Sequence, residues 1–370
     1  MRFVASHRIA PAPPPLDTSS ALQKMRRLFF NSTASSIVTL VLATLSIALA
    51  WQIVTWGLLD AVFTTHGRGP DACRAAGAGA CWAVIGEKLR LVLFGLYPHS
   101  QHWRPASAIV LLIVMYGASV QPRMWNWRLP AVWFAALAAV GVLMWGGVFG
   151  LPSVPDDQWG GLPVTLILAT LGLATGFPLA IMLALLRHSP RRGVGKALAV
   201  AYIELTRSVP LLAVLFFASV MIPLFLPQGI DVSKLLRVFV AFALFIAAYL
   251  AEVVRGGLLS IPKGQVEAAR ALGLTRYVVT TRIVLPQALM AVIPAIVNVF
   301  IAFFKATSIV VVVGIFDLMT AANRAAADPA WQGFGTEIYL FVAAIYFAFC
   351  FAMSRASTRL QAPLDRERSL

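Results

Sequence analysis

Charge is scarce in this chain. Of its 370 residues only 12% are charged, against about 25% in an average soluble domain. Acidic residues number fifteen, and there are three cysteines and five histidines. The shortage of charge excludes an ordinary soluble enzyme, and the composition also excludes collagen, coiled-coil and disordered classes. The histidines, His7, His66, His99, His102 and His188, show no helical metal-ligand spacing, and no C-x-x-C occurs. No defensible Ser/His/Asp order and no nucleophile–base pair within an apolar run marks an intramembrane enzyme. A G-x-x-x-x-G-K-[ST] loop is also missing. Gly193-Val194-Gly195-Lys196 lacks its spacing and the following hydroxyl residue, so the chain cannot bind ATP in the Walker manner. The first 30 residues lack a secretory leader's apolar stretch and cleavage site.

What is abundant is apolar: 59% of the residues, with a mean hydropathy of +0.81. One soluble core could not hide that much, so a polytopic all-α membrane protein is expected. A spanning helix takes roughly 20 residues, and eight apolar runs are visible. They cover 35–59, 106–119, 129–149, 161–186, 198–226, 238–254, 288–315 and 338–353. The net charge is +15. With the amino terminus inside and the spans alternating, 20 Lys and Arg fall on the cytoplasmic side and eight outside; Arg207 and Lys305 lie within spans. By the positive-inside rule both termini are cytoplasmic. The basic excess thus reports topology rather than a nucleic-acid partner.

The expected organisation is a cytoplasmic tail over 1–34, an extension over 35–150 with an outer loop 60–105, a core over 160–356, and a final tail over 357–370. In the outer loop, Cys73 and Cys81 either pair in an oxidising compartment or stay as thiols. Val84–Tyr97 reads as a short interfacial helix, and Cys350 as a small apolar residue. The pairs Gly146/Gly150 and Gly172/Gly176 permit close helix contact, but with 26 glycines such pairs arise by chance.

Two charge pairs have helical i,i+3 spacing, Glu204/Arg207 and Glu252/Arg255, and read as structural ion pairs. Asn298, Lys305, Thr307 and Ser308 are the polar candidates for a translocation path, with snorkelling of Lys305 as the alternative. The most informative segment is 255–290. Ser260 and Pro262 suit a helix start, and a short helix is expected over 265–272. Gly273 can end it at positive φ, and Thr275 can cap the next helix. Pro286 should kink that second helix.

Within this segment Glu267-Ala268-Ala269, Gly273, Ile283 and Pro286 reproduce the EAA-loop pattern of membrane subunits of binding-protein-dependent ABC importers. Tyr202–Leu212, Ala248–Gly256, Ile261–Gln265 and Lys305–Ser308 resemble polar amino-acid permeases of the histidine and glutamine type. The front end, with Cys73-Arg74 and Ala80–Lys88, is similar to M-type permeases of general L-amino-acid transporters. The resemblance implies a five-span type I importer core behind three added spans, in the cell inner membrane, moving polar L-amino acids inward. It also implies an ATP-binding subunit dimer docking at Glu267–Gly273, a second permease and a periplasmic binding protein. ATP and Mg would be held by the ATPase alone, and this subunit would not be an enzyme. One position departs from the family: an acidic residue usually follows the lysine of the seventh span, where this chain has Ala306. An ion-driven secondary transporter is the alternative, but the repeat symmetry it needs is not visible.

Overall fold

The computed structural model describes residues 20–65, 67, 69–75, 77–190 and 193–368. The expected amino-terminal tail lies outside these as far as residue 19, as do His66, Arg68, Arg191 and Arg192. The chain forms two compact units, Met1–Trp82 and Ala83–Leu370. Among the described residues the only β structure is two isolated bridges, and all else regular is helical, so the chain is an all-α polytopic membrane protein.

In the first unit, α1 (Ala21–Phe29) starts at a Ser20 capping box with Gln23. It is followed by α2 (Thr33–Val54), which a π-turn, Thr55–Leu59, extends to a largely apolar stretch of 27 residues. The expectation of a plain polar tail before the first span is therefore corrected. Ser20 supplies the cap and residues 21–29 alternate apolar and basic at helical spacing. Beyond α2, Cys73 and Cys81 are joined as a disulfide with Cα atoms 5.5 Å apart. The indole of Trp82 donates to the Gly57 carbonyl at 2.7 Å.

The second unit opens with α3 (Ala83–Phe94), α4 (Trp103–Ser119) and α5 (Leu129–Trp145). At 1.5 Å per residue, the 17 residues of α4 and of α5 reach about 25 Å, short of a hydrocarbon core of about 30 Å. Arg104, fully buried at the start of α4, holds the pair together. Its guanidinium donates to the Leu143 carbonyl at 2.6 Å and the Pro152 carbonyl at 2.8 Å. The bond to Leu143 and the Tyr97 hydroxyl's contact with the Met144 carbonyl (3.0 Å) satisfy carbonyls that the end of α5 leaves without helical partners, and the bond to Pro152 ties in the loop beyond.

Next come α6 (Gly161–His188), α7 (Val194–Ser208), α8 (Leu211–Phe216), α9 (Ile222–Phe225) and α10 (Lys234–Ser260). The core is the crossing of α6 and α10. A β-carbon on Gly172 would lie 3.2 Å from the Phe242 ring, and one on Gly176 would lie 2.9 Å from the Ala243 carbonyl. The Gly172/Gly176 pair therefore sets how closely these helices approach. Gly146 and Gly150 instead lie in a turn at positive φ, and a β-carbon on Gly146 would lie 2.5 Å from the Arg104 guanidinium.

The run expected as one span over 198–226 is bent by 103° between α7 and α8. Val209 is extended (φ −101°, ψ 136°) because the Pro210 ring excludes the helical region for the residue before it. The chain then continues through α11 (Lys263–Ala271), α12 (Arg276–Val278), α13 (Leu285–Ala291), α14 (Ile293–Ala306), α15 (Leu318–Ala326) and α16 (Gly335–Arg368). Against the eight expected spans, five helices among the described residues are long and apolar enough to cross a bilayer, or six with the bent pair counted as one. The remaining two expected spans correspond to the short α4 and α5.

Candidate coupling loop and translocation cleft

Helix α11 ends through a complete Schellman motif. The Gly273 amide donates to the Arg270 carbonyl at 2.9 Å and the Leu274 amide to the Ala269 carbonyl at 3.2 Å. Gly273 sits at φ +77°, which a residue with a β-carbon adopts only under strain. The helix starts at Lys263 behind Pro262, two residues earlier than the pattern suggested. Ala269 is buried, while Glu267, Ala268, Arg270 and Gly273 are exposed. Leu272 is 79% exposed and Tyr277 76% exposed, an unusual cost for a loop unless something covers them.

Thr275 caps α12, accepting from the Val278 amide at 3.4 Å. The turn that follows, Val279–Val284, is π-helical and leads directly to Pro286 in the first turn of α13. Pro286 offers no amide proton to the turn before it, and the wider i→i+5 pattern accommodates that loss. Ile283 lies in this π-turn, half-buried. The six expected loop residues are therefore spread from the short α11 and its glycine stop through the π-turn, with Ile283, to the first turn of α13, with Pro286. Gly257 of α10 holds that junction close, since a β-carbon there would meet the Ala288 carbonyl at 2.5 Å.

A second feature is an open cleft of about 490 Å³ where α7, α8, α10 and α14 meet. Its walls include Arg207, Pro210, Tyr249, Phe303 and Ala306. Arg207 stands over the Tyr249 ring, its guanidinium carbon 5.6 Å from the centroid. Phe303 packs against Phe242, Phe245 and Tyr249 at centroid distances of 5.5–5.9 Å, which fixes the aromatic wall.

Of the two expected ion pairs, Glu252–Arg255 forms and Glu204–Arg207 does not. Glu204 pairs with Arg187 at 2.7 Å and not with Arg207. Arg187 also approaches Glu252 at 3.5 Å, and Glu252 bonds Arg255. Arg187, at the end of α6, thus links α6, α7 and α10. Arg207 is thereby left for the cleft.

The expected path residues lie apart from this cleft. Thr307 is buried and donates to the Phe304 carbonyl at 2.7 Å. Ser308 donates to the Lys305 carbonyl at 2.8 Å. Asn298 and Lys305 are exposed. None of the four lines the cleft; from this stretch Ala302, Phe303, Ala306 and Ile309 do. The reason is helical phase. Positions 302, 306 and 309 share one face, and Lys305 lies about 100° away from Ala306. Among the described residues no cluster of three metal-ligating side chains occurs.

Comparison with known proteins places this geometry. The family described as "Binding-protein-dependent transport system inner membrane component" matches residues 176–365, just over half of the chain. The "Inner membrane amino-acid ABC transporter permease protein YhdY" of Escherichia coli K12 is 42% identical over 357 residues, covering 95% of each chain. The "Glutamate/glutamine/aspartate/asparagine transport system permease protein BztC" of Rhodobacter capsulatus is 35% identical, covering 99% of this chain and 98% of its own. The "Probable glutamine ABC transporter permease protein GlnP" of Bacillus subtilis is 34% identical over 203 residues, which are 55% of this chain and 91% of that one. The ion-driven alternative finds no support among these relatives. Their likeness, spanning nearly the whole chain, and the family match over α6–α16 make this chain a member of the binding-protein-dependent inner-membrane transport components, a non-enzymatic ABC importer permease that works with a separate ATPase subunit and a binding protein.

Proposed function

We propose that the chain conducts polar L-amino acids inward, and that α11 is the lever through which the ATPase moves it. The likeness to amino-acid permeases over 95% or more of the chain carries the substrate class. The exposed α11, stopped at Gly273, supports the lever. Ala268 lets the helix enter a groove on the ATPase, and Glu267 and Arg270 bond at its rim. Buried Ala269 anchors it, and force on the loop passes through the π-turn with Ile283 and through Pro286 into α13 and α14. ATP and Mg are bound by an ATPase dimer, on the cytoplasmic side together with both termini of this chain.

The cleft is one half of the path, completed by a second permease. Arg207 is its cation for a substrate carboxylate, held over Tyr249 and released from pairing because Glu204 belongs to Arg187. Ala306 brings no acid to this cleft. The substrate ammonium is therefore met mainly by the partner permease. The relative of 203 matched residues supports treating the front portion as an addition to a core that suffices elsewhere.

The test is uptake of labelled glutamate, glutamine, aspartate and asparagine into vesicles carrying the complete transporter. Gly273→Asp and Glu267→Lys are each expected to cut uptake at least tenfold and weaken co-purification of the ATPase, while the permease still inserts. Normal uptake and ATPase association in both variants would remove the lever. Arg207→Gln is expected to raise KM more than it lowers Vmax.

A further inference from the structure

Helix α1 carries two chemically distinct faces. At 100° per residue, Met25, Leu28 and Phe29 fall within an arc of about 100°, and Lys24, Arg26 and Arg27 share the opposite side. No acidic residue stands in its first turn, and no residue from 20 to 36 is acidic. Leu28 is 75% exposed and Met25 58% exposed, more than a soluble surface tolerates in so short a segment. Position is the second observation. Only three residues separate α1 from α2, whose apolar length requires a bilayer and none of whose residues is buried within its unit. The Thr39 hydroxyl donates to the Phe29 carbonyl at 2.9 Å and ties the end of α1 to the first turns of α2. Helix α1 is thus held at the boundary where hydrocarbon gives way to headgroups.

We propose that α1 lies in the headgroup layer of an anionic leaflet, with Met25, Leu28 and Phe29 inserted and Arg26 and Arg27 on lipid phosphates. An amphipathic helix with cations on its polar face binds such a surface by both terms at once. Each cation near an anionic surface strengthens binding about fivefold, and screening by salt weakens it. The occupant follows from charge complementarity and from continuity with a bilayer-spanning helix. The reading does not depend on the transported substrate.

The experiment uses the full chain with Leu28→Cys in a Cys350→Ala background, labelled with an environment-sensitive fluorophore and placed in lipid nanodiscs. The expected result in phosphatidylglycerol-rich discs is a blue-shifted emission and reaction with added dithionite about tenfold slower than in phosphatidylcholine discs. High salt, or the combined Arg26→Gln and Arg27→Gln changes, should abolish that difference. A Gln23→Cys label on the polar face should react quickly in both lipids. Equal protection of position 28 in both lipids, insensitive to salt and to the double variant, would mean that protein covers this face and would overturn the proposal. Equal rapid reaction in both lipids would overturn it as well.

Discussion

Arg104 shows what one residue does when a charge is buried without an acid. Its guanidinium is spent on main-chain carbonyls of Leu143, Met144 and Pro152, where α5 ends. Replacing it removes the side-chain donor from the Pro152 carbonyl and leaves the Leu143 and Met144 carbonyls only the Tyr97 hydroxyl. Arg104→Met is expected to cost about 2–4 kcal/mol, read as a lower thermal midpoint of the detergent-purified protein. Asp328 makes a pH-dependent contact of a different kind. The ammonium of Lys88 beside it holds its carboxyl below the usual range, helped by the Ala330 amide. A depressed carboxylate stabilises the fold above its unfolded value and loses that contribution as pH falls through the folded one. The midpoint gap between the wild type and Asp328→Asn should therefore be steady from neutral pH down to about 4, then close below it. A gap that widened in acid would contradict the assignment.

Among elements, the α6–α10 crossing and the α11 stop depend on glycine for opposite reasons. Gly176 is needed for space. Gly176→Val would push against the Ala243 carbonyl and Ile246 and is expected to destabilise by about 1–3 kcal/mol, with the protein still inserting. Gly273 is needed for conformation, since a β-carbon there meets nothing within 4 Å while φ is +77°. Gly273→Ala should therefore cost only about 1–2 kcal/mol, mostly as fraying of α11 measured by faster amide exchange in residues 268–274. Both glycines occur in motifs that the chain displays openly, yet only one was informative beforehand. The EAA pattern fixed Gly273 by its neighbours. The Gly172/Gly176 spacing was one of many chance pairs until Phe242 and Ile246 were found opposite it.

For the whole molecule, the division into units matters more than the count of spans. The first unit contains α1, α2 and the Cys73–Cys81 loop. The second contains α3, α4 and α5 packed with the permease helices, α3 against α6, α15 and α16. Removing the disulfide with Cys73→Ser and Cys81→Ser relaxes a loop separated by eight residues and should cost about 2–3 kcal/mol within the first unit alone. Protease cleavage of the 60–82 segment is the readout, with the second unit's resistance unchanged. The uptake and ATPase-association tests of Gly273→Asp and Glu267→Lys belong to this scale too, because coupling is a property of the assembled transporter.

By itself the sequence determined the membrane class, the family, and the loop helix with its glycine stop. Each of these follows from composition or from residues close together in the chain, where backbone preferences and short motifs decide the outcome. Tertiary structure alone decided which partner Glu204 takes, which face of α14 meets the cleft, and which small-residue pairs are contacts; Glu252–Arg255 is the pair its i,i+3 spacing suggests. Arg187 takes Glu204 because the ends of α6 and α7 meet, a fact no i,i+3 spacing contains. Ala306 rather than Lys305 faces the cleft because rotation of a helix about its axis is set by packing against neighbours, here Phe242, Phe245 and Tyr249 around Phe303. Local pattern fixes what a segment becomes, and the side to which it presents a residue is settled only by the surfaces that close around it.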